Sequence, residues 1–135
     1  MNNTVIFYTD GAYSPTKQKG GWGLYCPQYK LKMCHGEYNT TNNRMEMTAA
    51  IRALEFVDES KLPEKNIIIY SDSKYLIETM KGNYSMKTNI DLWDKLNDLK
   101  QALFDKNITW IHVKGHSGHI ENEIVDKLAN LASQN

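Results

Sequence analysis

Cysteine is scarce in this chain of 135 residues, with only Cys26 and Cys34 present. Two cysteines are too few for a disulfide scaffold, and they are not spaced as a Cys-x-x-Cys metal or redox pair. Both are expected as reduced, half-buried strand residues. Proline is equally sparse, at 3 residues, while hydrophobic residues make up 41% and charged residues 24%. Those fractions exclude disorder and fibrous repeats. Net charge is missing altogether, since 16 basic residues balance 16 acidic ones. The global field of a nucleic-acid or anionic-membrane binder is therefore absent, and any such binding must come from a local patch. No apolar run approaches the roughly 18 residues of a membrane span, and Met1-Asn2-Asn3-Thr4 lacks the regions of a secretory signal. A soluble, cytoplasmic protein with no membrane partner is the expectation. The length fits one domain, 1–135, around one core.

What is present has a clear grammar. Thr4-Val5-Ile6-Phe7-Tyr8-Thr9 is a β-branched and aromatic run that meets Asp10-Gly11, which reads as a strand buried on both faces followed by a turn. Gly20 to Cys26 and Leu31 to Tyr38 are strand-like, and the four residues between them are too few for anything but an antiparallel pair. After Thr40-Thr41-Asn42-Asn43, rich in capping residues, Met47, Ala50, Ile51, Leu54 and Val57 recur at helical spacing. That helix carries Glu46 near its start. Asn66 to Asp72 repeats the first strand's pattern, and a helix between two such strands implies a parallel pair. A short helix from Ser73 to about Lys81 ends at Gly82-Asn83, and Leu92, Trp93, Leu96, Leu99 and Leu103 mark a second main helix. Ile108 to Val113 alternates as a strand, a glycine-bearing loop runs from Lys114 to His119, and Ile124, Val125, Leu128, Ala129 and Ala132 stripe a final helix. The order predicts a layered α/β fold with a mixed sheet.

Ligands of such sheets bind beyond the carboxyl ends of strands. Asp10 and Asp72 each fall at one, and two neighbouring carboxylates there would repel without a cation; Mg²⁺ takes such oxygens. Each aspartate taken singly would serve equally as a cap of the following turn. Glu46 alone reads as a surface glutamate, and Asp126 as an edge-of-core carboxylate paired with a lysine. His116, flanked by Gly115 and, two residues on, Gly118, is placed to move protons near neutral pH. His35, His112 and His119 have no comparable context, although His119 competes for the role.

Taken in order, Phe7-Tyr8-Thr9-Asp10-Gly11, Gly20-Gly21-Trp22-Gly23, Thr40 to Glu46, Tyr70-Ser71-Asp72-Ser73-Lys74-Tyr75, Asp91-Leu92-Trp93 and Val113 to His119 resemble the motif set of the ribonuclease HI family, completed by Asn122-Glu123 and Asp126. The resemblance spans nearly the whole chain. It implies a five-stranded mixed sheet in the order 3-2-1-4-5, with helices on both faces. It also implies endonucleolytic hydrolysis of the RNA strand of an RNA–DNA hybrid by a two-metal-ion mechanism, leaving 5′-phosphate and 3′-hydroxyl ends. By position, the metal ligands carry over to Asp10, Glu46, Asp72 and Asp126 and the proton-handling histidine to His116. The cofactor would be two Mg²⁺ ions, with Mn²⁺ able to substitute. Hybrid contacts carry over to Gly11, Thr41, Asn42 and Asn43, with Lys74 and Lys114 as cationic contacts, in a monomer.

The chain departs from the family pattern in three places. Thr16-Lys17 stands where many members have a phosphate-binding asparagine, leaving Lys17 and Lys19 as substitute point charges. Lys74 replaces a common glutamine. Asp91 follows Ser73 by only 18 positions (91 − 73), too few for the basic protrusion of many bacterial members, so that Lys81 and Lys87, with Tyr84, are what remains there. Three rivals share parts of the pattern. A phosphoacceptor receiver also has a strand-end aspartate pocket, but its strands alternate strictly with helices and the hairpin from Gly20 to Tyr38 does not. A hybrid-binding module that has lost catalysis would not be expected to keep all four carboxylates and His116. A reverse-transcriptase fragment would share the chemistry.

Overall fold

The computed structural model of the chain describes residues 3–114 and 119–135. Its elements are β1 (Thr4–Ser14), β2 (Lys19–Cys26), β3 (Leu31–Tyr38), α1 (Asn42–Ser60), β4 (Asn66–Ser71), α2 (Lys74–Met80), α3 (Ile90–Ala102), β5 (Asn107–His112) and α4 (Ile120–Gln134). The five strands form one sheet in the order β3-β2-β1-β4-β5. β1 runs antiparallel to β2 and parallel to β4, so the sheet is mixed, as expected. The antiparallel β2–β3 hairpin rules out the strict alternation of a receiver.

Alternation along β2 shows why helices lie on both faces. A Cβ on Gly20 would meet the Met45 side chain of α1, whereas Cβ atoms on Gly21 and Gly23 would strike the α4 backbone at Ala129 O (2.3 Å) and Val125 O (2.8 Å). Successive strand residues point to opposite faces, so α1 and α4 clamp the sheet between them. The main core lies on the α1 side, where Val5, Phe7, Leu24, Ile67 and Ile69 meet Met47, Leu54, Leu76, Trp93 and Leu96. Each such fully buried side chain contributes about 1.5–3 kcal/mol relative to exposure. The predicted stripe of α1 is buried at every position.

Three expectations need correction. β1 does not stop at Asp10 but runs on to Ser14, because its ladder to β2 continues to Ser14–Lys19 after its parallel ladder to β4 has ended at Tyr8–Tyr70. Nor is β1 buried on both faces: Val5 and Phe7 are fully covered, but Ile6 and Tyr8, which alternate to the opposite face, are half-buried. Tyr8 is instead sheltered by stacking on Tyr70, with ring centroids 5.0 Å apart. The cysteines are not both half-buried; Cys26 is buried under α1 and Cys34 is exposed on the edge strand β3.

Candidate metal centre

The extension of β1 places Asp10 within the strand, just beyond the last β1–β4 pair, where a cleft opens between the sheet and the starts of two helices. Gly11 makes the next step possible. A Cβ there would lie 2.4 Å from the Glu46 backbone nitrogen and 2.7 Å from the Met45 carbonyl carbon. Only glycine lets the first turns of α1 come this close, and that approach carries Glu46 to Asp10. Thr41 caps α1 by accepting a hydrogen bond from Arg44 N at 3.1 Å. Asp72 is held in a turn by two serines: Ser71 Oγ accepts from Ser73 N (3.1 Å), and Ser73 Oγ caps α2 by accepting from Leu76 N (3.0 Å).

The result is three carboxylates, Asp10, Glu46 and Asp72, with ligand oxygens all within 4.8 Å of one another. Asp10 is 6% exposed and Glu46 3%. No lysine or arginine forms an ion pair with any of the three among the described residues. One carboxylate oxygen, Glu46 Oε1, is buried without a hydrogen-bond partner. Burial, and then the charge of Asp72, push the Asp10 carboxyl up to about 8, with proton-sharing contacts to Asp126 and Asp72 adding to the rise. Glu46 is raised well above the ordinary range by burial first and by the charges of Asp10 and Asp72 second. Like charges gathered in a desolvated site, together with an unpartnered carboxylate oxygen, form a donor set that a cation would satisfy. An all-oxygen donor set fits a hard divalent ion such as Mg²⁺ or Mn²⁺.

The cleft, of about 460 Å³, is also lined by Asp126. Asp126 extends from α4, outside the tight trio but in contact with Asp10. Four expected substrate positions, Gly11, Asn42, Asn43 and Lys74, share the lining. Thr41 does not, although it is exposed beside it with its hydroxyl accepting the cap hydrogen bond, and Lys114 is exposed past the end of β5. Lys19 is not a free point charge: its Nζ donates to Asn135 O and lies 5.3 Å from the Tyr38 ring centroid. His116 lies outside the described residues. Ala12, Tyr13 and Asn130 line the cleft without having been quoted from the sequence, whereas Ser73 and Tyr75, also in the lining, fall within a quoted motif. Asn130 had a signal, since it follows Asp126 by one helical turn. Tyr13 was hidden by the turn read at Asp10-Gly11.

Beside the cleft a polar node ties α1 to α3. Arg44 forms a bidentate pair with Asp91 (3.0 and 2.7 Å), holding the Asp91 carboxyl down at about 2, and also donates to Asn89 Oδ1 at 3.2 Å. Asn89, in the left-handed region at φ 58°, in turn donates to the Tyr75 hydroxyl at 3.1 Å.

A family model described as RNase H matches residues 2–134. Among curated proteins, the chain is similar to a ribonuclease H of Legionella pneumophila (strain Lens), 42% identical over 142 residues that cover 94% of each chain. It is also similar to a ribonuclease H of Ruthia magnifica subsp. Calyptogena magnifica, 39% identical over 145 residues, covering 96% of this chain and 95% of the other. Among solved structures it superposes on the N-terminal RNase H domain of Rv2228c from Mycobacterium tuberculosis, determined as a fusion with maltose-binding protein. That match has a TM-score of 0.78 at 22% identity and covers 96% of this chain and 93% of the other.

Proposed function

The chain belongs to the ribonuclease H family of endoribonucleases, and from that premise we propose that it hydrolyses the RNA strand of RNA–DNA hybrids by a two-metal-ion mechanism, leaving 5′-phosphate and 3′-hydroxyl ends. The observation that carries the reading is the close-packed trio of Asp10, Glu46 and Asp72, which no described lysine or arginine ion-pairs, with the buried, unpartnered Glu46 Oε1. Asp10, Glu46, Asp72 and Asp126 are the ligands for two Mg²⁺ ions, which Mn²⁺ can replace. When bound, the ions supply Lewis acidity toward the phosphate and lower the pKa of the attacking water.

The protein's own residues do the remaining work. Asp10 sits between Glu46, Asp72 and Asp126, and a divalent cation held there would offset the neighbouring negative charge and favour the ionised form of its carboxyl. Gly11 brings the α1 turn close enough for Asn42 and Asn43 to meet the sugar edges in the duplex groove. Only the RNA strand presents 2′-hydroxyls there, so the contacts select a hybrid without reading its sequence. Lys74 and Lys114 supply point charges to phosphates, and Thr41 fixes the turn that presents the asparagines. His116 carries the proton traffic of hydrolysis. We place residues 1–135 as one domain acting as a monomer in the cytoplasm. No described helix is long and apolar enough to cross a membrane.

The deciding experiment is cleavage of an end-labelled hybrid with and without Mg²⁺, alongside Asp10→Asn and an all-DNA duplex. The expected result is metal-dependent cutting of the RNA strand alone, lost in Asp10→Asn. Substantial turnover by that variant, or equal cutting of the DNA duplex, overturns the reading.

A further inference from the structure

Beneath the carboxylate trio, on the α4 face of the sheet, four side chains cross neighbouring strands in one row: Lys32 of β3, Tyr25 of β2, Tyr8 of β1 and Tyr70 of β4. Side chains two apart on a strand share a face, so Tyr8 stands one step below Asp10, whose partner Gly23 is pressed against the α4 backbone at Val125. Tyr70 likewise precedes Asp72 by two residues. The Tyr8 and Tyr70 rings are stacked, with centroids 5.0 Å apart and planes 8° apart. Tyr25 continues the row at 6.2 Å from Tyr8, and Lys32 Nζ lies 5.7 Å from the Tyr25 centroid. Among the described residues none of the three hydroxyls has a hydrogen-bond partner, so the rings carry the contact. All three side chains are half-buried, and none lines the cleft.

The place of this stack gives it a consequence, because Tyr8–Tyr70 is the last pair of the parallel β1–β4 ladder. Beyond it β1 continues with β2 and β4 ends at Ser71, so nothing in the ladder ties the two strands where Asp10 and Asp72 stand. Like charges within 4.8 Å press those ends apart. Two contacts oppose the repulsion: the hydrogen bond that Thr9 Oγ1 donates to Tyr70 O at 3.0 Å, and the stack. Nearly parallel rings this close overlap face to face, and their separation matches the spacing of paired strands, so the stack is lost if the strands part. Mg²⁺ demands near-ideal octahedral geometry with short bonds, whereas Ca²⁺ accepts longer and looser coordination. A small widening between Asp10 and Asp72 therefore costs Mg²⁺ more than Ca²⁺.

We propose that Tyr8 and Tyr70 are positioning residues of the metal centre: their stack braces β1 against β4 and holds Asp10 and Asp72 at the separation Mg²⁺ requires. The inference rests on the metal-dependent reading above and adds to it a brace built from residues outside the cleft.

The test is titration of ¹⁵N-labelled protein, stripped of metal with EDTA and exchanged out of it, with MgCl₂ and separately with CaCl₂. Binding is followed by NMR at the amide of Gly11, which donates to Asp10 Oδ1 at 2.9 Å. Tyr70→Leu, which keeps apolar bulk but cannot stack, is expected to weaken Mg²⁺ binding about two- to tenfold, the worth of one aromatic pair, and Ca²⁺ binding less than about twofold. Tyr70→Phe keeps the ring and should bind both ions as wild type does. Tyr8→Leu should match Tyr70→Leu, and the double variant should be no worse than either, because the changes remove a single contact. A general loosening of the fold would weaken both ions alike, so the Mg²⁺-to-Ca²⁺ ratio separates positioning from mere stability. Should Tyr70→Leu not fold, Tyr8→Leu decides in its place. Wild-type Mg²⁺ affinity in the leucine variant, equal weakening of both ions, or a Tyr70→Phe variant as impaired as Tyr70→Leu overturns the inference. A wild-type Gly11 amide that responds to neither ion sinks instead the metal-centre reading beneath it.

Discussion

Replacing Asp10 with asparagine should make the metal-free protein more stable while destroying its activity. The folded-state pKa of about 8 lies well above the ordinary value of 3.8 for an aspartate. A carboxyl whose folded pKa is raised contributes stability that is fully present below the unfolded pKa and is lost as the pH rises through the folded one. Wild type in EDTA should therefore lose stability steadily between pH 5 and pH 8. A gap of about four pH units at about 1.36 kcal/mol each amounts to about 5 kcal/mol of ionisation penalty near pH 8. Asparagine removes that penalty but gives up the hydrogen bonds of the carboxyl, so a net gain of about 2–4 kcal/mol is expected, or about 10 °C in Tm for a domain of this size. The assay is thermal unfolding followed by circular dichroism at pH 5, 6, 7 and 8, with EDTA and then with Mg²⁺. Asp10→Asn should show a shallower pH slope in EDTA and little response to Mg²⁺, whereas wild type at pH 8 should regain stability as the ion binds. A wild-type Tm that is flat or rising across this range in EDTA, or an Asp10→Asn variant no more stable than wild type at pH 8, would refute the electrostatic account of the cluster.

Two further outcomes test the frame and the proton path. Gly11→Ala forces a Cβ to within 2.4 Å of the Glu46 backbone nitrogen, so α1 must shift; hybrid turnover should fall by about a hundredfold, as for a displacement of about 1 Å, with about 1–3 kcal/mol lost in urea denaturation. Little change in either measurement would show that the close approach does not position Glu46. His116→Ala should slow single-turnover cleavage by at most about 10²–10⁴-fold, less than the loss in Asp10→Asn, and a greater loss in His119→Ala would move the proton-handling role to that residue.

Much of this arrangement was legible because local patterns and tertiary demands agree. The apolar spacing of α1 follows from the face it buries, and the hairpin and the crossover helix point to a mixed sheet, while the full five-strand order was legible only through the resemblance of the motif string to the ribonuclease HI family. Where local chemistry and pairing disagree, the sequence misleads. Asp10-Gly11 has the composition of a turn, yet the glycine is there for a helix to approach, and β2 holds the strand extended to Ser14. The same misreading concealed Tyr13. Lys19 and Thr41 have partners that the sequence does not announce: Lys19 Nζ donates to Asn135 O, and Thr41 Oγ accepts from Arg44 N at the start of α1. Burial of the carboxylates was not readable at all, because Glu46 becomes buried only when α1 closes over Gly11.

That last point joins stability to function. A carboxylate trio that repels itself would ordinarily relax by turning side chains toward water, and each member here is denied that escape by a separate device. Glu46 is locked by the Gly11 contact, Asp72 by the Ser71–Ser73 turn, and Asp10 by its pairing with Gly23 of β2 and by the hydrogen bond that Gly11 N donates to its Oδ1 at 2.9 Å. On the opposite face, Gly21 and Gly23 draw α4 onto β2, which keeps Asp126 in reach of Asp10. The glycines and serines of the quoted motifs thus act mechanically: they hold negative charge where the fold alone would not keep it. The repulsion they sustain is relieved by protonation, as the raised Asp10 and Glu46 carboxyls show, or by a bound cation, so under the proposed function affinity for metal would follow the rigidity of the frame as well as the ligands.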